Sequence, residues 1–264
     1  MTALRMSAAR FAGDRKVLSV RLLQIGGGLA FLLAWELAGA VAPDFYSQPT
    51  RIIADFGPLF TQEDLLTLVW DSTYALLIGI AISLVLGVTI GMLIGRYHLF
   101  AVAVGPYLAA YYSIPRIAFV PLMVVWFGIE REFVIASVVA ATTALLIIAT
   151  SDGVRNSRNM FDEVARSFQI SGRHMFTKIM LPGAVPFIAT GMRLGVQRAL
   201  VGVIIAEYLV GLPGIGELLR AARITLQTDR IFSSAIVATI MGVILVLLTG
   251  FVERRFSRWR PTVF

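Results

Sequence analysis

Long stretches of this chain carry no charged residue, among them 72–95, with 24 residues, 133–151, with 19, and 231–252, with 22. A helix rising about 1.5 Å per residue needs roughly 20 apolar residues to cross a hydrocarbon core of about 30 Å. The pattern around these stretches predicts six spans. The first covers about 22–42 and ends at Pro43 and Asp44; it holds Glu36 and lacks the small-residue cleavage pattern of a signal peptide. The second covers about 65–95 and ends at Arg96, Tyr97 and His98. The third, about 99–127, carries Arg116 and is interrupted by Pro106, Pro115 and Pro121. Such breaks are tolerated at membrane depth where the backbone faces protein or a water-filled cavity. The remaining spans cover about 133–150, 182–210 and 231–252.

Shorter amphipathic segments lie between the spans. In residues 49–60, Ile52, Ile53, Phe56 and Phe60 recur at roughly helical spacing, which predicts a short helix at the outer interface. The polar stretch 151–178 reads as a loop holding two short amphipathic helices. Phe161, Val164, Ala165 and Phe168 make one apolar stripe, and Ser171 suits the N-cap of the second helix. Met175, Phe176 and Ile179 continue that helix to the membrane, and Pro182 opens the fifth span, where its missing N–H costs least. Such a loop either lies on lipid or docks a soluble partner.

Composition points the same way: 58% of the 264 residues are hydrophobic and 15% charged, against about 25% charged in soluble domains. The expected fold class is an all-α membrane protein. The net charge of +7 is unevenly placed. Arg5, Arg10, Arg15, Lys16, Arg21, Arg96, Arg155, Arg158, Arg166, Arg173, Lys178, Arg254, Arg255, Arg258 and Arg260 fall on one side of the six-span topology. Only Arg51, Arg131, Arg220, Arg223 and Arg230 fall on the other. Basic residues stay in the cytoplasm, which puts both termini inside: a basic N-terminus, 1–21, a membrane domain, 22–252, and a basic tail, 253–264. There is no cysteine, so no disulfide can form.

Charges inside spans are functional candidates. Arg116, Arg193 and Arg198 are the three basic ones, and grouped guanidinium groups suit a sulfonate, carboxylate or nitrate through forked hydrogen bonds. The alternative is a buried pair, such as Arg198 with Glu207 or Glu36; Glu207 itself reads as structural. Gly79, Gly87, Gly91 and Gly95 make one small-residue face on the second span, packed within the subunit or against a second copy. His98 and His174 sit at loop ends without metal-ligand spacing. Lacking a P-loop, a GxSxG elbow or an acid pair, the chain is expected to hydrolyse nothing itself. A stand-alone secondary transporter would need relay acids or broken helices in both halves.

Residues 163–182 resemble the EAA loop of bacterial ABC importer permeases: Glu-Ala-Ala, three residues, Gly, nine residues, Ile-x-Leu-Pro. Glu163, Ala165, Ile179, Leu181 and Pro182 match in register. Val164 replaces an Ala, and Gln169 stands where the family has Gly, with Gly172 three residues on; this predicts a shifted turn. Residues 113–129, with Trp126, Phe127 and Gly128, are similar to a stretch of the sulfonate/nitrate/taurine branch. So are the segments at 151–154, 191–193, 206–207 and 214–216. The likeness covers roughly 45–255.

The resemblance implies the type I ABC importer permease fold, with its core at about 65–252 and a coupling loop at 151–181. It implies a multi-pass protein of the cell inner membrane, surrounded by lipid, working as a homodimer with two ATP-binding-cassette ATPase subunits and a periplasmic or lipid-anchored binding protein. No nucleic acid is expected. ATP and Mg would be bound by the ATPase, with no cofactor or metal in this chain. The coupling residues it implies are Glu163, Val164, Ala165, Arg166, Ser167, Gln169, Gly172, Leu181 and Pro182, inserted into a groove of the ATPase. Arg116, Trp126, Arg193 and Arg198 are the pathway candidates. The implied cargo is a small anion such as a sulfonate, taurine or nitrate; the alternative is a thiamine-precursor-like pyrimidine or another small nutrient.

Overall fold

The computed structural model describes the backbone of residues 2–42 and 46–256, and the side chains of 20–255 apart from 43–45, Arg116, Asp162 and Arg166. Pro43, Asp44, Arg258 and Arg260 lie outside the described residues, as do the side chains of Arg5, Arg10, Arg15, Lys16, Arg116 and Arg166. Among the described residues every regular element is helical: α1 (Thr2–Val41), α2 (Pro49–Gln62), α3 (Leu65–Arg96), α4 (His98–Ser113), a 3-10 turn (Arg116–Phe119), α5 (Val120–Phe127), α6 (Arg131–Ser167), α7 (Gly172–His174), a π-helical turn (Met175–Met180), α8 (Leu181–Val210), α9 (Ile215–Ile224) and α10 (Thr228–Phe256). Five segments are long and apolar enough to cross a membrane: Val20–Val41, Leu65–Arg96, Arg131–Phe161, Gly172–Val210 and Thr228–Arg255. The pair His98–Ser113 and Ile117–Phe127, bent by 93°, makes a sixth if counted as one broken span.

The chain divides into two compact units, residues 64–221 with 234–264, and residues 1–63 with 222–233. The larger unit is organised by the glycine face of α3. A Cβ placed on Gly79, Gly87, Gly91 or Gly95 would come within 2.4–2.6 Å of Val138, Leu146, Thr150 or Val154 on α6, in that order. Close backbone approach of this kind is how small residues join membrane helices. The small-residue face therefore packs within the subunit. Ser83 and Thr142 bond in the same register, Oγ1 to Oγ at 2.5 Å.

Partner numbers rise together along both helices, so α3 and α6 run parallel. Two parallel spans require the chain between them to return across the membrane. The bent pair α4–α5 is thus a broken crossing, and the candidate spans among the described residues number six. The break lies at Pro115: Ile114 before it is extended, ψ 132°, as the residue preceding a proline prefers. Pro106 does not break α4, contrary to the sequence expectation.

Against α6, helix α8 runs the other way: Gly153 meets Ala184 and Phe187, Gly191 meets Ala149, and Gly202 meets Ala141. Helix α10 opposes α8, with Gly242 against Leu200 and Glu253 bonded to Thr190 at 2.8 Å. The C-terminal ends of α3, α6 and α10 therefore share one side with the start of α8. Ala75, Leu76, Phe133, Val134, Val138, Ala199, Val203 and Ala206 form the core between α3, α6 and α8.

In the smaller unit, Glu36 of α1 accepts from the Thr50 hydroxyl at 2.6 Å and the Thr50 amide at 3.2 Å, capping the start of α2. Trp35 stacks near Phe232, centroids 5.5 Å apart. Arg230 bonds Asp55 at 3.1 Å and Glu63 at 2.5 Å. The predicted α2 stripe is split. Ile52 is buried with Leu59, one face seven residues apart, whereas Ile53 and Phe60 on the neighbouring face are exposed.

Candidate functional site

Helix α6 has 37 residues, about 55 Å at 1.5 Å per residue. It outruns a hydrocarbon core of about 30 Å, and the predicted first loop helix is its continuation rather than a separate element. The only glycine in this stretch, Gly153, packs on Ala184 and Phe187, so nothing interrupts the helix before Ser167. On the projecting end Ala165 is buried, at 5% exposure, while Met160, Phe161, Val164 and Phe168 are exposed, Phe168 by 76%. Glu163 is exposed too, and the Ser167 hydroxyl donates to its carbonyl at 3.0 Å. The predicted apolar stripe is one inward residue flanked by an uncovered apolar ledge.

The helix closes with the Ile170 amide donating to the Ala165 carbonyl at 2.9 Å, the six-to-one bond of a Schellman ending. Gln169 takes the left-handed position, φ +50°, which such an ending usually gives to Gly. Gly172 is not among the positive-φ residues. The turn has not shifted: it sits at the family's Gly position with a glutamine in it. Ser171 then caps α7, its Oγ accepting from the His174 amide at 3.4 Å. A π-helical turn carries the chain into α8, and Leu181 and Pro182 open that helix without a gap.

Beneath this segment Val154, Ala165, Met175, Met180 and Ala184 form a buried cluster, with Met92, Phe176, Ile179 and Ile188 packed against it. Residues of α3, α6, the π turn and α8 thus share one hub.

The pathway candidates are not gathered by any described contact. Arg193 pairs with Glu253 of α10 at 3.0 Å. Arg198 is exposed on α8 and has no hydrogen bond or ion pair among the described residues. Trp126 is 66% exposed at the end of α5, and Arg116 contributes only a backbone position at the 3-10 turn.

The pairing of Arg198 with Glu207 does not form. Glu36 is held by Thr50, and Glu207 is fully engaged elsewhere: its carboxylate accepts from the Ser72 hydroxyl at 2.8 Å and the Gly216 amide at 2.9 Å. Ser72 Oγ accepts from the Ile215 amide at 2.9 Å. Glu207 therefore caps the start of α9, the structural role its sequence position suggested. Gly214, φ +154°, lies so close that a Cβ would reach 2.2 Å from the carboxylate carbon. The sequence did not reveal Glu253 or Arg96; both act through partners about 60 or more residues away in the chain.

These features coincide with a known sequence family. The model of the binding-protein-dependent transport system inner membrane component matches residues 83–260. The chain belongs to that family. It is a multi-pass ABC importer permease of the sulfonate/nitrate/taurine branch, and a permease of this kind works with an ATPase and a substrate-binding protein. Over 241 residues it is 27% identical to a Bacillus subtilis protein named as an aliphatic sulfonates transport permease, SsuC, covering 91% of this chain and 84% of that one. It is 25% identical over 233 residues to the formylaminopyrimidine transport permease ThiX of Halalkalibacterium halodurans, covering 88% and 93%. An inward-facing MetNI methionine ABC transporter chain superposes with a TM-score of 0.66 at 15% identity, over 76% of this chain and 99% of that one. That likeness is one of fold, and it is the type I importer permease fold.

Proposed function

We propose that this permease forms half of the pore of an importer for small organic anions, with a sulfonate as the cargo class. Two copies pair in the inner membrane, each docking one ATP-binding-cassette subunit that binds ATP and Mg. A binding protein delivers the cargo from the opposite side. The observation that carries this reading is the uncovered ledge of Met160, Phe161, Val164 and Phe168 at the projecting end of α6, beside Glu163 and closed by the Gln169 turn. It is a firm, helical surface directly above a buried hub shared by three membrane helices, so a push on it reaches α3, α6 and α8 together.

Both termini and the 151–178 segment face the cytoplasm in this reading. The shared side of the α6 and α10 ends supports it, together with the excess of basic residues there. The cargo class draws on the name of the B. subtilis relative and on Arg198, a guanidinium in a span without a partner among the described residues. A formylaminopyrimidine-like cargo is the second reading, favoured by the ThiX likeness. The decisive experiment co-expresses the permease with its ATPase. The intact permease should retain the ATPase on purification, and Phe168→Asp should release it; retention by Phe168→Asp would reject the docking surface. Calorimetry on the binding protein with taurine, ethanesulfonate and formylaminopyrimidine decides the cargo.

A further inference from the structure

The Arg96 guanidinium lies 4.6 Å from the ring centroid of Phe176 in the π turn, and 5.3 Å from that of Tyr97. Arg96 is the last residue of α3, half-buried, and its carbonyl accepts from Arg158 Nη1 on α6 at 3.4 Å. A cation over an aromatic face within about 6 Å is attracted to it, more strongly as water is removed. Phe176 is the ring through which the π turn meets α3. That turn, Met175–Met180, closes Leu181 N–H onto the Phe176 carbonyl. π-helical turns are uncommon and recur at functional sites. This one stands between the docking ledge and α8, with Met175 and Met180 buried in the hub.

We propose that Arg96 is a positioning residue for ATP coupling: clasped over Phe176, it makes the end of α3 move with the coupling segment. The proposal rests on the docking reading above. Without the clasp, α8 still follows the ledge along the chain, through the Gln169 turn, α7 and the π turn, and α6 carries it directly. Helix α3 follows through packing alone: Gly95 lies on Val154 of α6 and Met92 joins the hub, 84 residues of chain separate its end from the start of α8, and the Arg96–Phe176 stack is the polar part of its contact with the π turn.

The test uses the assembled importer, permease with its ATPase. The absence of native cysteine lets single reporters be placed by substitution. One spin label goes on His98→Cys, beside the end of α3, and another, in a separate sample, on Asn159→Cys near the ledge; both positions are exposed. In the otherwise native importer, ATP should change the mobility of both labels. Arg96→Gln should leave the Asn159 response in place and cut the His98 response about fivefold, the scale of one partly desolvated cation–π contact. Arg96→Lys should restore most of it. Phe176→Leu should match Arg96→Gln, with Phe176→Tyr as the variant that keeps the ring should the leucine fail to accumulate. A full His98 response in Arg96→Gln overturns the proposal. So does loss of both responses, which would make Arg96 part of docking, or failure of Arg96→Lys to exceed Arg96→Gln. An unsubstituted importer with no response at Asn159 overturns the docking reading itself, and is recognised before any clasp variant is made.

Discussion

The Ile170 amide donates to the Ala165 carbonyl across a turn whose apex residue, Gln169, holds φ +50°. A left-handed conformation costs an L-residue about 1–2 kcal/mol, and glycine escapes that cost. Gln169→Gly should therefore stabilise the purified permease by about 1 kcal/mol, read as a higher thermal aggregation temperature. Gly172→Ala should change it little, since a Cβ there meets open space and the residue is not at positive φ. A larger loss from Gly172→Ala than gain from Gln169→Gly would move the turn to Gly172.

What the sequence disclosed and what it concealed follow one physical division. The uncharged blocks and the glycine face were legible because span length and helical spacing are local properties, and Gly79 through Gly95 do lie along one contact with α6. The coupling motif was legible as a string of residues. The left-handed Gln169 was not, because residue type alone does not fix φ where glycine is absent. The continuity of α6 past Ser151 was hidden by its polar surface, which reads as a loop until one sees that the helix leaves the membrane. Partners such as Glu253 for Arg193, 60 residues apart, exist only once the helices are packed.

The glycine register makes a prediction of its own. Extra methylenes in a close-packed contact cost about 1–3 kcal/mol and occasionally more. Gly87→Leu or Gly91→Val should deplete permease from the membrane, measured by quantitative blotting of washed membranes. Gly105→Ala, where a Cβ meets nothing within 4 Å, should accumulate normally. Normal accumulation of Gly87→Leu would contradict the α3–α6 contact.

Glu207 supplies another. Its carboxylate and Ser72 satisfy the Gly216 and Ile215 amides at the start of α9. An amide side chain keeps one accepting oxygen but turns its NH2 toward the other donor, and a buried group left unsatisfied costs about 1–3 kcal/mol. Glu207→Gln and Ser72→Ala should each lower thermal stability in detergent. The double variant should lose less than the sum, because the residues act as one cap. Strict additivity would mean they act separately.

Arg198 and Arg193 divide the pathway question between them. Both lie on α8, and among the described residues only Arg193 has an acid partner, Glu253. A charge near the bilayer centre costs about 2.5–3.5 kcal/mol on insertion scales. For Arg193 the ion pair offsets that cost, so its loss should act through Glu253. Arg193→Leu should impair accumulation, and Arg193→Leu with Glu253→Gln should recover it. Arg198 has no such partner to release. Arg198→Leu should insert as well as the parent or better, while uptake of labelled ethanesulfonate by the complete importer falls about ten- to a hundredfold, one forked hydrogen-bonded contact being worth about 1.5–3 kcal/mol, at about 1.4 kcal/mol per factor of ten. Arg198→Lys should return only part of the uptake, because an ammonium places a charge in the path without the planar fork. Uptake unchanged in Arg198→Leu would remove the arginine from the pathway, and with it the support that Arg198 gives to an anion over a neutral pyrimidine as cargo.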